Sequence, residues 1–91
     1  MQTEASKLTD RHQKLTHSEM MKVSSHVQRN DGEWIINTLT IEGHDVPFKF
    51  RRKTAYKDIR GQRVNLTYYP VIEKVAGMDF EVMKVVRIKV S

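Results

Sequence analysis

From Met21 onward, apolar side chains recur at every second position, with one lapse after Arg52, and short polar clusters containing glycine separate the runs. Alternation with period two puts one face of each run indoors and the other in water. That is the pattern of half-buried β-strands, and it commits the chain to sheet. Ninety-one residues make one small domain, which buries only ~60–65% of its unfolded surface and has little room for a deep interior cleft.

The turns between runs set the expected registers. "QRNDGEW" places Asn30, Asp31 and Gly32 in a three-residue loop with Gly32 left-handed. Arg29 then faces Glu33, Val27 faces Ile35, Val23 faces Leu39 and Met21 faces Ile41, so the apolar partners share one face. A two-residue loop opposes Val23 to Thr40 and is rejected. At "IEGHDV", closure around Gly43 and His44 sets Ile41 against Val46 and Leu39 against Phe48. The like-charge pair Glu42 and Asp45 opens that tip into a four-residue loop without a change of register. The resulting three-strand meander has Met21, Val23, Val27, Ile35, Leu39, Ile41, Val46, Phe48 and Phe50 inside, with Asn37 as a polar exception that needs a partner or a bulge.

The lapse, "KTAYKDIRG", is long enough for a helical turn or two ending at Gly61. Alternation resumes from Arg63, with Val64, Leu66 and Tyr68 on one face, and Pro70 is expected to end the run. "VIEKVAGM" crosses to a last strand, Asp79 to Val90, in which Phe80 and Val82 point inward. There the pair Val85 and Val86 shifts the phase, so a bulge is expected near Lys84. The expected fold is all-β: a small five-stranded barrel, OB-like with an SH3-like barrel as rival, and a short helical segment between strands 3 and 4. Residues 1–18 hold only Ala5, Leu8 and Leu15 as apolar side chains beyond Met1, and read as a flexible polar arm preceding a barrel domain at 19–91.

Several function classes fall away on composition. The chain has no cysteine, hence no disulfide framework and no thiol nucleophile. No apolar run approaches the ~18 residues of a membrane span, and a soluble cytoplasmic protein is expected. His12, His17, His26 and His44 lack metal-ligand spacing, nucleophile motifs and a P-loop are absent, and His26 is placed on an outer face. The expected protein is therefore a binding module with no catalytic residues, no metal and no cofactor.

The charge is local. Lys49 to Arg63 holds seven Lys or Arg against Asp58, a net +6, while the remainder of the chain sums to −1. Such a concentration attracts phosphates or acidic surfaces, or simply solvates an edge. The second hairpin register points Lys49 and Arg51 outward beside Thr38 and Ile36, with Trp34 close to Lys53. Cations beside aromatic rings are what single-strand binding uses, the former for phosphates and the latter for stacked bases. The candidate nucleic-acid-binding residues are Trp34, Lys49, Arg51, Arg52, Lys53, Tyr56, Lys57, Arg60, Arg63 and Tyr69. Their partner is single-stranded DNA or RNA, or alternatively an acidic protein. The competing reading of these rings is a packing role in which Trp34 covers an end of the barrel and Tyr56 lies beneath the connection.

Residues 33–90, above all "VNLTYYP", "VAGMDFEV" and "VVRIKV", resemble a group of short uncharacterised bacterial proteins with OB-like barrels. The resemblance implies a compact bacterial domain and supplies no site residues. "RR" at 51–52 followed by "DIRGQR" at 58–63 is also similar to PilZ domains, which bind a cyclic dinucleotide. That family's second motif has serine two residues after the acid and glycine three further on, whereas Arg60 and Arg63 stand there, so this alternative ranks last.

Overall fold

The computed structural model describes residues 15–91. Five strands, β1 (Thr16–Asp31), β2 (Trp34–Ile41), β3 (Phe48–Arg52), β4 (Arg63–Val75) and β5 (Met78–Val90), form one sheet. The sheet closes on itself in the order β1-β2-β3-β5-β4 and back to β1. Every pairing is antiparallel except β3 with β5, which run parallel at Phe48↔Met83 and Lys49↔Lys84. β1 makes closure possible because it is long and bent. Its second half pairs with β2, its first half with β4, and irregularities between Val23 and Ser25 and between Ser18 and Met21 turn it from one neighbour to the other. At the second of these, Met20 adopts φ 57°, held by Asn65 Oδ1, which accepts from its amide at 2.9 Å.

The second hairpin has the expected register, with Leu39 opposite Phe48 and Asn37 opposite Phe50. The first does not. Asp31 pairs with Trp34, leaving the two-residue loop Gly32–Glu33 with Gly32 at φ 63°, the pattern of a type II′ turn. This register reverses the faces of the outer half of β1. Val27 is 55% exposed, and His26, opposite Leu39, turns inward in its place. The irregularity at Ser24 then restores the phase, so Met21 and Val23 are buried as expected. A bulge hidden among Ser24, Ser25 and His26 is thus why the rejected two-residue loop is compatible with an apolar interior.

His26 and Asn37 solve each other's burial. The His26 side chain is fully enclosed. Its Nδ1 accepts from the Ile59 amide at 3.2 Å, which leaves the proton on Nε2 to donate to Asn37 Oδ1 at 2.8 Å. Asn37 Nδ2 in turn donates to the Ile35 carbonyl at 3.3 Å. The outer-face assignment of His26 is corrected accordingly. Asn37→Ala is expected to cost ~1–3 kcal/mol in chemical denaturation, because it strands a buried N–H donor. A loss within error would show that the ring tolerates an unpaired imidazole.

No helix occurs among the described residues, and the connection expected to be helical is irregular instead, with a turn at Arg60–Gly61. Its backbone groups are taken by β1. Gln28 brackets Tyr56, accepting from its N–H and donating to its C=O, while Gly61 N donates to Val23 O at 2.8 Å and Val23 N donates to Gln62 O at 3.0 Å. With those partners the segment lowers Ile59 into the interior, fully buried beside Val23, Leu39, Ile41, Phe48, Val64 and Leu66.

β4 passes through Pro70 to Val75, so proline does not end the run. The described β1–β4 ladder stops at Thr16↔Tyr68, and Pro70 pairs with Met83 of β5 on its other side, an edge position where the missing N–H is tolerated. Beyond it, β4 and β5 continue as a two-stranded ribbon to the turn Ala76–Gly77, so "VIEKVAGM" is a hairpin and not a crossing. Ala76 at φ 53° and Gly77 at φ 80° match a type I′ turn, which favours Asn-Gly. Ala76→Asn is therefore expected to stabilise the ribbon by ~0.5–1 kcal/mol, seen as slower amide exchange at Val75 and Met78; faster exchange would contradict the turn assignment. The bulge in β5 falls at Val86, two residues past Lys84, leaving Val85 buried and Val86 exposed. Phe80, expected inside, lies on the ribbon and is 46% exposed. β1 begins at Thr16, three residues inside the stretch read as an arm, and residues 1–14 of that arm lie outside the described residues.

Candidate nucleic-acid interface

The outer surface of β2 and β3 is set by their ladder, in which Ile36 faces Arg51 and Thr38 faces Lys49. Trp34 stands at the start of β2, 38% exposed, with the Arg51 guanidinium 5.8 Å and the Lys53 ammonium 5.4 Å from its ring centroid. Both cations hold the indole by its π-face, a contact that orients an exposed ring without enclosing it. Arg52, one residue out of phase, belongs to the other side of β3. Its guanidinium lies 4.5 Å from the Tyr56 centroid and 5.8 Å from that of Phe50, at an end of the ring.

Tyr56 is half-buried, edge-on to Phe50 at 5.6 Å and to His26 at 6.2 Å. One face of the Tyr56 ring is therefore covered by Arg52, and it packs beneath the connection. Tyr69 points outward from β4 opposite Lys84 and is half-buried. Lys57 and Arg60 are exposed on the connection. Arg63 pairs with Lys22 across the β1–β4 ladder and donates to the Met20 carbonyl at 3.2 Å. The basic stretch is thus divided. Lys49, Arg51 and Lys53 gather with Trp34, whereas Arg63 is tied to the join of β1 and β4.

The ribbon completes the site. An open groove of ≈700 Å³ runs between the outer side of β2–β3 and the ribbon, with Trp34, Ile36, Arg51, Val71 and Val82 among its lining. Lys49, Lys84, Glu73 and Asp31 also line it, so cations and carboxylates share the walls. Lys49 Nζ donates to Glu73 Oε1 at 3.0 Å. Glu73, Lys84, Val71 and Val82 were not among the candidate binding residues read from sequence. The available signal was the Ala76–Gly77 pair at the centre of "IEKVAGMDFE", which marks a tight hairpin and would have brought these positions face to face.

Comparison of the chain with protein-family models, with curated proteins and with solved structures gave no match.

Proposed function

We propose that the chain is an OB-like barrel that binds single-stranded nucleic acid, weakly and without marked sequence preference, on the outer face of β2 and β3. The carrying observation is Trp34, partly exposed on that face with Arg51 and Lys53 at 5.8 Å and 5.4 Å from its ring centroid. A base stacks on the open part of the ring, and the flanking cations meet the phosphates on either side. The strand order supports the OB-like reading: five strands, β1 shared between β2 and β4, and parallel β3 and β5 at the closure. In OB-folds oligonucleotides lie on the face of strands 2 and 3, flanked by the β1–β2 and β4–β5 loops. Here those places are held by the Gly32–Glu33 turn and by the ribbon. Docking on an acidic protein uses the same cations but leaves the exposed indole without a role.

Titration of a fluorescent single strand against salt tests the proposal. If about three phosphates are neutralised, two of them by Arg51 and Lys53, the log-log slope is expected near −2, from ~0.7 per contact. Absence of binding at low salt would turn attention to an acidic protein partner.

A further inference from the structure

Lys49 already holds an anion. Its ammonium donates to Glu73 at 3.0 Å, and Glu73 reaches it from the ribbon, across the groove. Lys49 is also the direct ladder partner of Lys84 in the parallel pairing of β3 and β5, and both line the same groove. Two ammonium-bearing side chains fixed side by side repel each other unless an anion lies between or beside them. Glu73 supplies that anion to Lys49 from within the chain, while Lys84 makes no ion pair among the described residues. The pair is nonetheless partly exposed, 33% for Lys49 and 40% for Glu73, and ion pairs in that position contribute little to stability and exchange readily with ions from solution.

We infer that Lys49 and Lys84 form a phosphate subsite which the Glu73 carboxylate occupies in the free protein, making the ribbon a built-in competitor of the ligand. For its ligand this rests on the single-strand reading, since a backbone phosphate arriving at Trp34 and Arg51 is carried along the groove toward Lys49. Binding there exchanges one carboxylate for one phosphate and frees the ribbon from β3 at that contact. The free protein therefore under-uses its own charge.

Glu73→Gln tests this, with Glu81→Gln as control. Glu81 is exposed on the same ribbon opposite Ile72, one residue out of phase with the Glu73 and Phe80 pair, so it removes the same charge from the other face. With a labelled thymidine single strand, Glu73→Gln is expected to bind about fivefold more tightly than Glu81→Gln at ~0.1 M salt and to steepen the salt slope by ~0.7, the signature of one added phosphate contact. Adding Lys84→Ala to Glu73→Gln should abolish that gain. A second probe, inorganic tripolyphosphate followed by amide chemical shifts, should perturb Lys49 and Lys84 more strongly in Glu73→Gln than in Glu81→Gln. Equal behaviour of the two variants with both probes would overturn the subsite while leaving single-strand binding intact. Failure of the unaltered protein and both variants to bind the strand would overturn the single-strand reading, and tripolyphosphate shifts at Lys49 and Lys84 would then retain the subsite as a site for phosphate anions.

Discussion

Replacing Ile59 with Ala is expected to lower stability by ~2–5 kcal/mol, a large share of the ~5–15 kcal/mol that a domain of this size has to lose. The side chain is fully buried in the main cluster, so truncation removes apolar contacts and leaves a void that a closed ring has little freedom to collapse. Ile59 also anchors the connection that carries Lys53 and Tyr56, and its amide sets the tautomer of His26. Urea denaturation followed by circular dichroism provides the measurement. A loss below ~1 kcal/mol would mean that residues 53–62 lie over the ring without plugging it.

Legibility from sequence followed how tightly each register was constrained. The β2–β3 pairing could be read because Leu39, Ile41, Phe48 and Phe50 admit one alignment that buries them together, and the outward placement of Lys49 and Arg51 came with it. The β1–β2 pairing misled because two errors cancel in the interior pattern. A two-residue turn inverts the faces, and an extra residue at Ser24 inverts them back, so Met21 and Val23 are inside under either register. Only the segment between turn and bulge betrays the difference, and there the interior residue is His26, whose enclosure depends on Asn37 and on the Ile59 amide far along the chain. The irregular connection was illegible for a related reason. Its backbone partners are the Gln28 side chain and the Val23 backbone, neither of which has a local signature near residue 56. At the site, the half on β2 and β3 was accessible from alternation, whereas Glu73 and Lys84 required knowing that the last two strands form one ribbon that reaches back to β3.

Removing both cations that flank the indole, as Arg51→Ala with Lys53→Ala, is expected to flatten the salt slope for a single strand from near −2 to near −0.7, leaving about one phosphate contact. The same two contacts correspond to about a 25-fold loss of affinity at ~0.1 M relative to what remains at ~1 M salt, where the counterion term vanishes. Trp34→Ala should act through different physics. It removes stacking worth ~1–3 kcal/mol per base while the slope stays near −2, because no charge has been deleted. Trp34 is the single tryptophan of the chain, so its emission reports occupancy of the proposed site without a label: quenching on addition of the strand should follow the anisotropy isotherm. In the double variant that quenching should need far more strand at ~0.1 M salt yet reach the same end point, since the ring itself is unchanged. Binding with an unaltered slope after loss of both cations would place the phosphates elsewhere. Anisotropy without quenching would place the bases elsewhere, and either result would remove the outer face of β2 and β3 as the interface.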